Sequence, residues 1–250
     1  MAASWSHVQK VSGSQPLGSL ELCMEPPVLI PRPETEHWTL LLAEKLRKSL
    51  SNGPKPLRIL DLCSGSGCIG LCLSKELGQN SQQPIYLVGL DILPQAVHLA
   101  KLNARRNRLK NTDFRQIDIF ANEDLTHLLS SIPAFDIVVC NPPYVREQDW
   151  HSLDRSVKDY ESPLALIGVH PKAQRPDLED GLAFYWRIKQ LLPLLLRKSE
   201  LSQTSIPRLV MEVGEGQAGR VAAMFEDVEF YCQRSLDYAG IERTVWVYER

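Results

Sequence analysis

The chain has 250 residues, 44% of them hydrophobic, with a formal net charge of −2 and a pI near 6.3. That length and apolar fraction fill one large domain with a full core and exclude a disordered chain; the near-balanced charge offers no basic field for nucleic acid. No apolar run approaches the ~18 residues of a membrane span, and the cysteines (Cys23, Cys63, Cys68, Cys72, Cys140, Cys232) lie in or beside apolar runs, without a C-x-x-C pair or zinc-ligand spacing, as buried thiols do.

From the N-terminus, MAASWSHV carries no arginine and is too short for a secretory or organellar leader. Residues 19–30 read as a small hairpin and 36–50 as a helix packed on the outside. LRILDL (57–62) is a short buried strand, residues 68–77 have the apolar spacing of a helix lying on it, and IYLVGLDI (85–92) is a second strand. The polar stretches SNGPKP (51–56) and GQNSQQP (78–84) are surface connections. A helix runs from Pro94, acceptable in a first turn, to about Arg108; DFRQIDI (113–119) is a third strand. A helix within 121–131 leads to FDIVVC (135–140), apolar enough to be a central strand. After a long helix near 180–198 come RLVMEV (208–213) as a strand and a helix near 216–226. The strands near 228–232 and 244–248 are joined by SLDYAGIER, which has no room for a crossover helix, so they pair antiparallel. The alternation implies an α/β architecture with a parallel sheet covered on both faces.

The stretch DLCSGSGCIG (61–70) contains G-x-G-x-x-G between a strand and a helix. Glycines there serve a dinucleotide loop, another ligand, or a bare tight turn. Asp61 separates the first two. A pyrophosphate favours bare N–H groups at a helix N-terminus and is repelled by a carboxylate, whereas S-adenosylmethionine carries a sulfonium and an ammonium and is attracted. The loop residues Gly65, Ser66 and Gly67 would then line the cofactor site. Asp91, ending the second strand, is placed to accept from ribose hydroxyls or to cap the next helix. Asp118, ending the third, would meet the adenine edge or sit as a solvated turn residue. A seven-stranded, Rossmann-like class I methyltransferase fold with a terminal antiparallel hairpin accommodates all of this better than a dinucleotide-binding fold.

Asn141-Pro142-Pro143-Tyr144 follows the fourth strand directly. Two prolines fix φ and remove N–H donors, so the turn is stiff with its carbonyls free. The Asn141 amide oxygen and the Pro142 carbonyl can each accept one hydrogen of an NH₂ group, and Tyr144 offers a ring to a planar group. A plain turn after a strand is the competing reading. The six histidines are scattered, with no triad order or HExxH pattern.

Leu29-Ile-Pro-Arg-Pro-Glu-Thr-Glu36, the DLCSGSG loop and NPPY together resemble the HemK/PrmC-like family of release-factor glutamine methyltransferases, and PLAL (163–166), DGL (180–182), MEVGEGQ (211–217) and GIER (240–243) fit the same pattern. The resemblance implies N5-methylation of the glutamine in the Gly-Gly-Gln motif of a peptide-chain release factor, with S-adenosylmethionine as donor. Asn141, Pro142, Pro143 and Tyr144 would hold the glutamine. Asp61, Gly65, Ser66, Gly67, Asp91, Asp118 and Asn141 would serve the cofactor, and Arg32 to Glu36 would close over the site. Pro27 and Cys63 stand where the family commonly has glycine. The family's helical N-terminal domain is not evident, which leaves a segment at 1–32 with the hairpin and a catalytic domain at 33–250. Expected partners are a release factor, no membrane and no direct nucleic acid. The chain is expected to be a monomer working inside the cell, in mitochondrion or cytoplasm. The alternative is an amino-methyltransferase of RNA or DNA bases, which shares NPPY.

Overall fold

The computed structural model describes residues 13–49, 55–79, 83–172, 178, 180–198 and 206–250. The leader reading of MAASWSHV, and parts of the connections at 51–56 and 78–84, lie outside these. Strands β1 (Ser14–Leu17) and β2 (Leu20–Cys23) form an antiparallel hairpin. Its turn is at Gly18, whose φ of +54° suits glycine. The expected hairpin at 19–30 is therefore corrected to 14–23: the apolar residues from Met24 to Ile30 continue inward to the core as irregular chain rather than as a second arm.

Helix α1 (Pro33–Ser49) begins with Pro33 and has Glu34 and Glu36 in its first turn, Arg47 and Lys48 in its last, complementing the helix dipole at both ends. Then β3 (Leu57–Leu62), α2 (Cys68–Gly78), β4 (Ile85–Asp91), α3 (Pro94–Arg106), β5 (Thr112–Gln116), α4 (Asn122–Ser131) and β6 (Ile137–Cys140) alternate as expected. The third strand ends at Gln116, so Asp118 belongs to the turn beyond it. Among the described residues, three short elements had no sequence signal: 3₁₀ segments at Glu147–Ser152 and Pro163–Ala165, and α5 (Arg155–Tyr160). Helix α6 (Ala183–Leu195), β7 (Leu209–Glu212), α7 (Ala218–Phe225), β8 (Phe230–Leu236) and β9 (Glu242–Glu249) complete the chain.

The seven-stranded sheet has the order β5-β4-β3-β6-β7-β9-β8, parallel through β7 and antiparallel at β9 and β8. β6 and β7 are buried along their whole length, which is why they read as unbroken apolar runs. One core layer joins the hairpin, α1 and α2 to one face of the sheet; the other joins α4, α6 and α7 to the opposite face. Because β3 and β6 are adjacent, the loops after Leu62 and Cys140 emerge side by side. This neighbourhood at the strands' carboxyl ends is where ligands of open α/β sheets bind.

Candidate active site

The loop after β3 makes its turn through three left-handed residues, Cys63 (φ 55°), Gly65 (φ 53°) and Gly67 (φ 79°). Only one of them is a strained choice: Cys63 occupies a conformation that favours glycine. A Cβ on Gly65 would meet nothing nearer than Val28 at 4.0 Å, so its face is open, whereas one on Gly67 would press on Leu71, Ala100 and Phe114 at 3.0–3.1 Å. Gly65 lines a cavity of about 550 Å³; Ser66 and Gly67 are not among its lining residues.

Asp91, the last residue of β4, also lines that cavity. Its Oδ2 accepts the Gly65 N–H at 2.8 Å and its Oδ1 the Leu93 N–H at 2.9 Å, which leaves the carboxylate acceptor capacity for a ligand hydroxyl. Burial pushes the carboxyl above its ordinary value, against the pull of the backbone N–H groups of Leu93, Gly65 and Ile92. The N–H that a dinucleotide loop would offer to phosphate is thus already covered by a carboxylate. The sequence alone assigns that part to Asp61. The structure places Asp61 behind the loop, 0% exposed and outside the cavity lining, where its Oδ2 accepts the Gly70 N–H at 3.0 Å and its Oδ1 has no hydrogen-bond partner among the described residues. Burial raises it to about 7, opposed by the Gly70 N–H and aided by the charge of Asp91.

The rest of the larger cavity is mainly apolar, with Leu90, Ile92, Ala96, Ile119, Pro143 and Ile167 in its walls. Asp118 lines it as well, with its Oδ1 accepting the Phe120 N–H at 2.9 Å and its Oδ2 accepting from Lys172 Nζ at 2.7 Å. Burial raises its carboxyl, but Lys172, the Phe120 N–H and His170 outweigh that and hold it below the ordinary value. His170 stacks on the Phe120 ring with centroids 4.0 Å apart. A glycine-faced carboxylate beside an apolar slot ending in a second acid fits S-adenosylmethionine: hydroxyls for Asp91, a flat base for the apolar walls, an amino edge for Asp118. Among the described residues no group of His, Cys, Asp and Glu could hold a metal ion.

Asn141 belongs to this cavity and to a second one of about 320 Å³, lined also by Arg32, Glu34, Pro142, Tyr144, Glu212 and Arg243. The structure therefore brings Gly65, Asp91, Asp118, Asn141 and Pro143 to one chamber and Pro142 and Tyr144 to its neighbour, with Asn141 between them. Among the described residues no hydrogen bond reaches Asn141 Oδ1 or the Pro142 carbonyl. The Asn141 amide nitrogen donates to Thr35 Oγ1 at 3.5 Å. The Tyr144 hydroxyl donates to Glu212 Oε1 at 3.3 Å, while Thr35 Oγ1 and Trp38 Nε1 donate to Glu212 Oε2 at 2.6 and 2.9 Å. Glu212 is 1% exposed, and burial holds it above the usual carboxylate range despite those donors and Arg243.

The backbone of the turn is equally enclosed. Gln217 donates to the Tyr144 carbonyl at 3.1 Å and to that of Asp180 at 2.8 Å. A Cβ on Gly181 would come within 2.1 Å of the Tyr144 carbonyl oxygen, and one on Gly168 within 2.9 Å of that of Pro143. PLAL, DGL, MEVGEGQ and IPRPETE thus converge on NPPY. Thr35, Glu212 and Gln217 were not singled out from the sequence. Thr35 meets Asn141 across 106 residues and Glu212 across 177, and Gln217 meets Tyr144 across 73, so only their membership of those segments marks them.

A sequence model described as a methyltransferase domain matches residues 55–168. Among solved structures, a methyltransferase from Pyrococcus furiosus superposes with a TM-score of 0.56 at 10% identity, covering 98% of this chain and 93% of its own. The ribosomal protein L11 methylase of Lactobacillus delbrueckii gives 0.52 at 15%, covering 90% and 82%. At such identities the likeness is one of fold. Closer in sequence is the probable MRF1 mitochondrial N(5)-glutamine methyltransferase of Schizosaccharomyces pombe, 31% identical over 95% of this chain and 74% of its own length. The release factor glutamine methyltransferase of Geobacter sulfurreducens is 33% identical over 95% and 72%, and that of Bacillus anthracis 32% over 86% and 63%. With these relatives, the seven-stranded fold and a cavity suited to S-adenosylmethionine, the chain belongs to the release factor glutamine methyltransferase family of S-adenosylmethionine-dependent enzymes.

Proposed function

We propose that this chain methylates the side-chain nitrogen of the glutamine in the Gly-Gly-Gln motif of a peptide-chain release factor. The observation that carries this reading is Asn141 standing between two cavities, one suited to the donor and one, with Arg32, Glu34 and Tyr144, suited to an entering polar side chain. S-adenosylmethionine supplies a methyl group made electrophilic by its sulfonium. Asp91 holds the ribose, Gly65 lets the backbone approach, and Asp118 faces the base. Asn141 Oδ1 and the Pro142 carbonyl accept the two hydrogens of the amide NH₂, and Tyr144 packs on its plane.

An amide nitrogen is a poor nucleophile because its lone pair is delocalised, and no side chain here is basic enough to deprotonate it first. Holding both N–H bonds turns the lone pair toward the larger cavity, and positioning of this kind supplies up to ~7–11 kcal/mol. The proton leaves after nitrogen has become acidic. The catalytic unit is residues 33–250, working as a monomer without direct contact to nucleic acid, in the mitochondrion, where the name of the Schizosaccharomyces pombe relative puts that protein, or in the cytoplasm. No helix among the described residues is long and apolar enough to cross a membrane.

Incubation with S-adenosylmethionine and a release factor, followed by mass spectrometry, should place one methyl on that glutamine and none on a Gln→Glu variant. Methyl appearing instead on a base of added RNA would replace this reading with the base-modifying one.

A further inference from the structure

An asparagine side chain has two ends of opposite hydrogen-bonding character. If Asn141 is to accept from an NH₂ group, its oxygen must face the cavities and its own NH₂ must face away. The surroundings decide which. Glu212 Oε2 takes the Trp38 indole N–H, a group that can only donate, so this oxygen is an acceptor, and the Thr35 hydroxyl spends its single hydrogen on it at 2.6 Å. Thr35 Oγ1 then has only lone pairs to offer, and Asn141 meets it with Nδ2 at 3.5 Å. Thr35 is 0% exposed and is not among the residues lining either cavity, so it meets no ligand itself.

We propose that Thr35, with its hydroxyl committed to Glu212, is a positioning residue that selects the acceptor face of Asn141 for the substrate amide. The inference rests on the function proposed above. With Asn141 turned over, the site presents N–H to N–H, and a side-chain amide is repelled where it should be gripped. Tyr144 is tied to the other oxygen of the same carboxylate, so one buried acid aligns both polar side chains of the turn.

The test is a double-mutant cycle on steady-state methylation of a release factor, with calorimetric binding of S-adenosylhomocysteine and thermal melts alongside. Thr35→Val keeps the shape but removes the acceptor. Its kcat should fall about tenfold to hundredfold with S-adenosylhomocysteine affinity unchanged. Thr35→Ser should recover kcat to within about threefold of wild type. In an Asn141→Ala background, Thr35→Val should cost nothing further. Thr35→Val with wild-type kcat, Thr35→Ser as slow as Thr35→Val, or an equal loss in the Asn141→Ala background each overturns the inference while leaving the proposed function standing. If Thr35→Val does not fold, Thr35→Ala, which also removes the acceptor and leaves Glu212 in place, carries the same cycle with the same expected loss. A wild-type protein that binds S-adenosylhomocysteine yet methylates no glutamine defeats the function reading, and this inference with it.

Discussion

Two aspartates a strand apart show how burial assigns different work to the same side chain. Asp91 lines the larger cavity with its oxygens on the Gly65 and Leu93 N–H groups, and its remaining lone pairs can receive the hydroxyls of a ribose. Replacing it with alanine removes charge-assisted hydrogen bonds, and affinity for S-adenosylhomocysteine should fall by about 1.5–3 kcal/mol while the melting transition stays cooperative; calorimetry reads this, and unchanged affinity would remove Asp91 from the site. Asp61 never reaches the cavity. Its folded pKa of about 7 lies above the ordinary 3.8, so its proton is held more tightly in the native state. The stability this proton contributes is complete below the unfolded value and is lost as pH rises through the folded one. Asparagine at 61 cannot ionise and still offers an oxygen to the Gly70 N–H. The melting temperature of Asp61→Asn should therefore gain on wild type between pH 5 and pH 8, and a gap independent of pH would show that Asp61 is not the group being titrated.

Elements that bury an apolar run were legible in the sequence; those positioned by distant contacts were not. LRILDL, FDIVVC and RLVMEV read as strands because their faces are covered, and the connection before TVWVY was too short for anything but an antiparallel return. The first hairpin was misplaced because the apolar chain from Met24 to Ile30 mimics a strand while serving as an inward-running loop. The 3₁₀ segments and α5 are too short for periodicity to register. The NPPY turn was visible as stiff, but not the glycines that pack on it. Gly181 and Gly216 share a left-handed φ, 76° and 77°, yet a Cβ meets the Tyr144 carbonyl at 2.1 Å in the first and nothing within 4 Å in the second. Gly216→Ala should therefore lose about 1–3 kcal/mol of stability from backbone strain alone and keep its turnover. Gly181→Ala should lose more than that and also lower kcat, because the turn must move to admit the methyl group. Denaturant melts and methylation rates on the two variants test the pair, and equal turnover in both would mean that the Tyr144 carbonyl need not stay in place.

At the scale of the molecule, the larger cavity is assembled from the ends of four adjacent parallel strands, β3 to β6, and from the segment between Pro163 and Lys172 that passes over them. A ligand that touches all of these binds the folded chain and not the unfolded one, so it stabilises the whole cooperative unit by mass action. At a hundred times its dissociation constant that amounts to about 2.7 kcal/mol, which for a domain of this size raises the melting temperature by roughly 5–11 °C. S-adenosylhomocysteine should produce such a rise, and Asp91→Ala should reduce it at the same ligand concentration. NAD should produce none, although the loop matches the dinucleotide pattern, because the Gly65 N–H that would receive its pyrophosphate is held by Asp91 at 2.8 Å and the carboxylate repels the incoming anion. A thermal melt with each ligand decides the matter within one experiment. Stabilisation by NAD, with none from S-adenosylhomocysteine, would mean that the carboxylate swings away from the glycine loop on binding, and the cavity would then have to be reassigned from methyl transfer to hydride transfer.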